Sequence, residues 1–200
     1  MTSMSAPELG PWEPLSLDSA VATFDGAPVR WWISGGHALE LHLQRSWRTH
    51  DDIDVGVLRS ELTAVFADLQ DWDLHVASSG TLAPWRGEPL DLDRHQNNVW
   101  ARRSASDPWA MDVTIGEGNA EEWIYRRDAS VRVGWDRAVL RSASGVPYLA
   151  PELQLLYKST GPRPKDDLDA SVVVPTLSPH QLAFLATSLA PDHPWRRLLG

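Results

Sequence analysis

The sequence contains no cysteine, and of its 18 basic residues only Lys158 and Lys165 are lysines. Without cysteine the chain cannot form disulfide bonds, thiolate zinc sites or a cysteine nucleophile, so any metal ion must bind to oxygen or imidazole ligands. No run of apolar residues approaches the roughly 18 that a membrane-spanning helix needs. The first ten residues also lack the basic flank and apolar run of a secretory signal. We therefore expect a soluble, cytoplasmic protein.

Basic charge is scarce as well, because the formal net charge is −9. Affinity for the nucleic-acid backbone comes from clustered Lys and Arg that release counterions, so we expect no general nucleic-acid binding. An acidic surface suits a cationic small molecule, although such surfaces most often serve solubility. The length of 200 residues and the hydrophobic content of 42% allow one compact domain with a small appendage.

Hydrophobic patterning predicts a mixed α/β protein. We expect an α/β core over residues 1–147 and a helical C-terminal part over residues 148–200 that packs on the core, with the first dozen residues as an irregular arm. Residues 80–98 carry no pattern that assigns their pairing. Strands are predicted at 29–33, 53–58, 74–77, 99–102 and 111–115, and helices at 15–24, 37–43, 60–69, 151–158, 166–174 and 179–189.

Two aspartates lie on one predicted strand, where Ile53, Val55 and Val57 alternate with polar residues. Because alternate residues of a strand share a face, Asp52 and Asp54 point to the same side, at a separation that allows both to bind one divalent cation. Carboxylates with retained waters and substrate phosphates are the ligands that magnesium prefers.

The segments around this Asp-x-Asp pair support its interpretation as a site for metal and phosphate. Upstream, a predicted strand ends at Ser34-Gly35-Gly36 and turns directly into a helix, which would expose backbone N–H groups to a phosphate. A third carboxylate, Asp112, lies in a short apolar segment where a charge facing the core would be costly. On an adjacent strand, it would complete a three-carboxylate site for two metal ions; the alternative is a capping or ion-pairing role.

The segment from Ile33 to Leu41, followed by Arg-Thr-His-Asp-Asp-Ile-Asp-Val at 48–55, resembles the signature of the aminoglycoside and lincosamide nucleotidyltransferases. That family is a branch of the DNA polymerase β-like nucleotidyltransferase superfamily. The stretches 148–158 and 163–169 are similar to the C-terminal portion of these enzymes. Between residues 59 and 145 only Asp112 matches, so the resemblance says nothing about the acceptor-binding part.

The resemblance implies a polymerase β-like α/β fold and an adenylyltransferase-like reaction that uses a nucleoside triphosphate and two Mg²⁺ ions. By matching position, Asp52 and Asp54 would be metal ligands. Asp112 would be the third carboxylate, acting as ligand, general base or both. Ser34, Gly35 and Gly36 would contact the triphosphate, whereas Asp51 falls outside the Asp-x-Asp spacing and is not counted as a ligand.

Several basic residues have two alternative interpretations, one functional and one structural. Arg48 suits phosphate through its paired donors, but it could equally brace its loop. Lys158 and Lys165 could reach the β- and γ-phosphates, or they could pair with Asp166, Asp167 and Asp169; we favour the phosphate role. His37, His42 and His50 are read as structural or surface residues.

Three functions remain open. The leading hypothesis is transfer of a nucleoside monophosphate to a hydroxyl of a small molecule, with an aminoglycoside- or lincosamide-like antibiotic as the acceptor class that the resemblance implies. The first alternative is a toxin-like transferase acting on tRNA or protein, and the second is a non-catalytic nucleotide-binding regulator. The sequence leaves open whether the chain forms a homodimer.

Overall fold

The computed structural model describes residues 9–200, so the first eight residues of the predicted arm lie outside the described part. The α-helices are α1 Leu17–Phe24, α2 Gly35–Leu43, α3 Leu62–Asp68, α4 Trp135–Ala138, α5 Pro151–Lys158, α6 Pro164–Val173 and α7 Pro179–Ser188. The strands are β1 Trp31–Ile33, β2 Asp54–Leu58, β3 Asp73–Ser78, β4 Thr81–Pro84, β5 Asn98–Arg102, β6 Met111–Gly118, β7 Glu122–Ile124, β8 Arg132–Gly134, β9 Val139–Arg141 and β10 Pro147–Leu149. Short 3₁₀ turns occupy Arg59–Glu61, Val174–Thr176 and Pro194–Leu198.

The strands form one mixed sheet in the order β4-β3-β5-β6-β2-β1-β10-β9, and β7 and β8 continue from the far end of β6. Two pairs are parallel, β2 with β6 and β1 with β10. Because β2 and β6 lie side by side at the centre, residues at the start of one strand are neighbours of residues at the start of the other. This central pair positions the candidate site.

Two hydrophobic clusters pack against the sheet. One contains Phe24 of α1 and Val65 of α3 together with Val55 and Val113 of the central strands. The other contains Trp32 and joins the remaining sheet residues to α5, α6 and α7. The C-terminal helices are therefore packed on the sheet through the second cluster.

The described part of the N-terminal arm docks on the sheet. Trp12 forms an isolated bridge with Trp109, and the backbone N–H groups of Glu13 and Leu15 donate to the carbonyls of Trp109 and Ala110 at 2.9 Å. The irregular character predicted for the arm holds for these residues, but they are fixed by backbone hydrogen bonds.

Within the described residues no helix combines the length and apolarity needed to cross a membrane.

The predicted mixed α/β class is confirmed, and each predicted strand and helix matches an observed element to within a few residues. The unassigned stretch 80–98 contains β4, and β7 to β10 were not predicted. The division at residue 147 stays a prediction.

Candidate active site

The two central parallel strands bring the predicted carboxylates together. In the register between β2 and β6, Asp54 is the direct partner of Asp112. The ladder is continued by the N–H of Asp112, which donates to the carbonyl of Ile53 at 2.9 Å. Asp52 lies two residues before Asp54, and the intervening Ile53 is completely buried in the core. The alternation read from the sequence therefore places the two aspartates away from the core, beside Asp112.

Within the described residues these carboxylates have no neutralising ion-pair partner. Among residues 9–200 none of Asp52, Asp54 and Asp112 forms an ion pair, and Asp112 is held by Asn98, whose Nδ2 donates to its two carboxylate oxygens at 3.0 and 2.9 Å. Burial, followed by the charge of Asp52, raises the pKa of Asp54 to about 7. Burial and the charge of Asp54 raise the pKa of Asp112 well above its ordinary value. Close, uncompensated carboxylates of this kind suit a divalent cation.

The N-terminus of α2 borders the carboxylates. The Ser34 N–H donates to the carbonyl of Asp54 at 2.9 Å, and the Gly35 N–H donates to Oε1 of Gln154 at 2.9 Å. Gly35 has φ +65°, and a Cβ at this position would overlap the Asp54 carboxylate. Ser34 is buried, and its hydroxyl does not cap the helix. The Ser-Gly-Gly turn thus brings backbone and an uncommitted hydroxyl into contact with the carboxylate site.

Gly35→Ala is expected to reduce any nucleotide-dependent activity at least tenfold, because the methyl group must displace the Asp54 carboxylate. The matched control is Gly26→Ala, since Gly26 has φ +81° and open space around its Cβ. Both variants carry a left-handed backbone cost of about 1 kcal/mol. The two variants should therefore lose a similar amount of stability in thermal unfolding, whereas activity should fall only for Gly35→Ala. Equal activity in the two variants would contradict close contact between Gly35 and Asp54.

The α2 cavity, named for the helix N-terminus in its wall, has a volume of about 140 Å³. It is lined by Trp32, Ser34, Gly35, Asp54, Thr114, Ile115, Gly116, Trp123, Arg126, Arg127, Leu149, Gln154 and Tyr157. Gly116 in this wall lies against the indole of Trp32, and a Cβ there would come within 3.0 Å of the ring. The cavity combines an aromatic floor, a helix N-terminus and arginine side chains beside Asp54.

A second concavity, the Asp112 cleft, lies beside the other carboxylate and has a volume of about 370 Å³. It is lined by Leu9, Ala77, Ser78, Ser79, Gly80, Thr81, His95, Asn98, Trp100 and Asp112. Trp100 is the cross-strand neighbour of Asp112 and supplies a flat aromatic surface. Asp54 and Asp112 therefore stand between two cavities, each lining one of them.

The three cations that were predicted to bind phosphate differ in their ion pairs and in their exposure. Arg48 donates from Nε and Nη2 to Asp169 at 2.8 and 2.9 Å. Lys158 is buried and bridges Asp166 and Asp169 at 2.8 and 3.0 Å. Lys165 is partly exposed and lies 3.5 Å from Asp51. The structure therefore places Arg48 and Lys158 in ion pairs within the fold, while phosphate contact by these three residues stays a prediction.

Asp169 is the centre of this network and has no exposed surface. Burial opposes its ionisation, but the hydrogen bond from Arg48 and the charge of Lys158 keep the pKa of Asp169 below its ordinary value. Trp47 adds a third donor, from Nε1 at 3.1 Å. The network joins the loop that precedes β2 to α5 and α6.

A second group of candidate metal ligands consists of His37, Glu40 and His50, whose ligand atoms lie within 4.8 Å of one another. Arg48 can only donate hydrogen bonds, so Nδ1 of His50, 3.0 Å from Nη1 of Arg48, must accept. The proton of a neutral His50 then resides on Nε2, which faces Glu40 at 2.9 Å. A metal would need that nitrogen deprotonated. The Nε2 atom of His50 lies near Glu40 but has no hydrogen-bond partner in the described residues, and the structural role of these histidines stays a prediction.

Sequence reasoning missed four residues of this region. Asn98 orients Asp112, Gln154 binds the α2 N-terminus, and Arg126 and Tyr157 line the α2 cavity. The signal for Asn98 was its position two residues before Trp100, which puts both on one strand face. The other three lie in segments whose approach to α2 depends on long-range pairing.

A family model described as aminoglycoside-2''-adenylyltransferase matches residues 16–86 of the chain. The matched stretch includes the Ser-Gly-Gly turn, Asp52 and Asp54, and it ends before Asp112 and the C-terminal helices. No curated protein shows significant similarity to the chain.

Solved structures resemble the chain over most of its length. The lincosamide antibiotic adenylyltransferase LnuA, crystallised with lincomycin, is 15% identical over 78% of this chain and 95% of its own, with a TM-score of 0.52. ANT(2")-Ia in complex with adenylyl-2"-tobramycin is 18% identical over 92% of each chain, with a TM-score of 0.47. The likeness to LnuA confirms the predicted nucleotidyltransferase fold.

Proposed function

We propose that the chain is a nucleotidyltransferase similar to the aminoglycoside and lincosamide nucleotidyltransferases, and that it transfers a nucleoside monophosphate from a nucleoside triphosphate to a hydroxyl group of a small molecule. The observation that carries this proposal is the direct pairing of Asp54 with Asp112 between two cavities. An antibiotic of the aminoglycoside or lincosamide type is the proposed acceptor class. ATP is the proposed donor.

Asp52, Asp54 and Asp112 are the proposed ligands of two Mg²⁺ ions. Their fit rests on the donor set, which is three carboxylates without an ion pair among residues 9–200, and on the raised pKa values of Asp54 and Asp112. Bound there, magnesium would neutralise charge on the phosphates and assist the attacking hydroxyl. The hard oxygen donors match that ion better than the imidazole groups of His37 and His50.

The protein's own groups would hold the reactants in line. We place the triphosphate in the α2 cavity, against the positive N-terminal end of α2 and the Ser34 hydroxyl. The acceptor enters from the Asp112 cleft, where the Trp100 ring can pack against a sugar face. In this proposal the attacking oxygen and the leaving pyrophosphate would lie on opposite sides of the α-phosphorus, as displacement requires.

In the transfer step, the acceptor oxygen forms a bond to the α-phosphorus while the bond from that phosphorus to the bridging oxygen of pyrophosphate breaks. The hydroxyl proton passes to a base, and Asp112 is the proposed acceptor because it borders the cleft and its pKa is raised. Asn98 keeps that carboxylate oriented through its two hydrogen bonds. The products are the nucleotidylated acceptor and pyrophosphate.

The acceptor class is tested by incubating the protein with each α-labelled nucleoside triphosphate and with aminoglycosides, lincosamides, bulk tRNA or the protein itself. Magnesium is either present or chelated. We expect label on a small cationic hydroxyl compound, only with magnesium, and weaker transfer at high salt because the net charge is −9. Label on tRNA or protein would favour the toxin-like alternative, and nucleotide binding without label on any acceptor would favour the regulatory one.

A further inference from the structure

The α2 cavity contains an arginine with no acidic partner. Arg126 follows β7 and donates from Nη1 to the carbonyl of Ile115 at 3.0 Å, with its guanidinium 5.2 Å from the centre of the Tyr157 ring. It is only partly exposed, and among residues 9–200 it forms no ion pair with a carboxylate. Burial, together with the charges of Arg127 and Arg59, lowers the pKa of Arg126. The cation is therefore incompletely compensated within the fold.

Three other cations packed near the sheet, Arg48, Lys158 and Arg59, are paired with carboxylates. Arg48 binds Asp169, Lys158 bridges two aspartates and Arg59 binds Glu117. Removing a cation from water without a counter-charge is costly, so an isolated guanidinium in a cavity is suited to an anion from outside. Its planar set of donors matches phosphate oxygens in particular.

A second unmatched donor lines the same cavity. Trp123 is completely buried, and its indole Nε1 has no hydrogen-bond partner in the described part of the chain. Buried donors are rarely left unsatisfied in folded proteins, because the lost hydrogen bond costs about 1–3 kcal/mol. The N-terminus of α2 adds the Ser34 hydroxyl and a positive dipole end to this wall.

We propose that Arg126 and the indole Nε1 of Trp123 form a phosphate subsite of the α2 cavity, where they bind the β- and γ-phosphates of the donor nucleotide. This inference rests on the proposed function and assigns a binding role to residues beyond the matched stretch 16–86. It also separates their role from that of Lys158, whose ammonium group is held by Asp166 and Asp169. As the bond to pyrophosphate breaks, the guanidinium would stabilise the charge gained by the leaving group.

Isothermal titration of the full chain with Mg-ATP, inorganic tripolyphosphate and adenosine tests the subsite. Arg126→Gln is expected to weaken binding of Mg-ATP and tripolyphosphate about 10- to 100-fold, the range of a hydrogen bond to a charged group. Binding of adenosine should stay within twofold. Arg126→Lys should fall between wild type and Arg126→Gln, because it keeps the charge but loses the paired donors. Trp123→Phe should weaken binding of Mg-ATP by at least about tenfold, as expected for one hydrogen bond to a charged phosphate.

Arg132→Gln is the matched control, since Arg132 lies in the adjoining β8 strand, is exposed and does not line the cavity. Unfolding temperatures confirm that each variant is folded before titration. If wild type binds Mg-ATP and Arg126→Gln and Trp123→Phe both bind it equally well, the subsite is refuted while the proposed function stands. If wild type binds neither Mg-ATP nor tripolyphosphate, both proposals fail together. An equal loss of affinity in Arg132→Gln would show that binding depends only on the protein's overall charge, and it would also refute the subsite.

Discussion

Asp54→Asn is expected to lower nucleotidyl transfer by more than about 100-fold, which exceeds the cost of losing a residue that only supports a metal ligand. The side chain keeps its size but loses the charge that would bind magnesium beside Asp112. Asp52→Asn should have an effect of the same order. Initial rates measured with saturating nucleotide and acceptor would establish the loss.

The same substitution should stabilise the metal-free protein. The pKa of Asp54 in the fold is about 7, above its ordinary value of 3.8, so ionisation destabilises the folded state as pH rises between those values. At pH 8 most of this penalty is present, so Asp54→Asn should have a higher Tm than the wild type. At pH 4 the two proteins should unfold at similar temperatures.

Asp51→Asn provides the control for both results. Asp51 is exposed, and its contact with Lys165 at 3.5 Å is a surface ion pair. Its loss should change stability by less than about 0.5 kcal/mol and leave transfer near the wild-type rate. Magnesium with nucleotide should raise the Tm of wild type and of Asp51→Asn, but not that of Asp54→Asn. Normal turnover by Asp54→Asn would show that this carboxylate is not a metal ligand in the reaction.

Asp169→Asn should give the largest loss of stability. Asp169 is completely buried and binds Arg48 and Lys158, so its neutralisation leaves two cations with less compensation. Breaking a buried pair in this way costs about 3–5 kcal/mol, which corresponds to roughly 6–20 °C in Tm for a protein of this size. Thermal unfolding of Asp169→Asn beside Asp51→Asn would measure the difference.

A loss near zero for Asp169→Asn would contradict the ion-pair account of Arg48 and Lys158. It would then favour the phosphate role predicted for them from the sequence. The comparison therefore separates the two readings of these cations with a stability measurement that requires no acceptor.

The central strands could be predicted because their pattern is local. Alternation from Ile53 to Val57 fixed which face carries Asp52 and Asp54, and the cost of burying a charge indicated that Asp112 faces a polar site. The Ser-Gly-Gly turn at the start of α2 could be predicted as well, because a left-handed backbone conformation favours glycine.

Other parts of the site depend on pairings between distant segments. Strands β7 to β10 have three residues each, too few to show a period of two. Gln154 reaches Gly35 across 119 positions of sequence, and Arg48 reaches Asp169 across 121. Lysine near aspartate suits both phosphate binding and ion pairing, so the composition around Lys158 could not distinguish these roles.

The most direct test of the metal site is the position of manganese in crystals grown with a non-hydrolysable nucleoside triphosphate, located by anomalous scattering. Manganese shares the carboxylate and phosphate preference of magnesium. We predict peaks bounded by Asp52, Asp54 and Asp112, with the triphosphate extending into the α2 cavity. A peak at His37, Glu40 and His50 instead, or nucleotide bound with no metal at the three aspartates, would contradict the proposed mechanism.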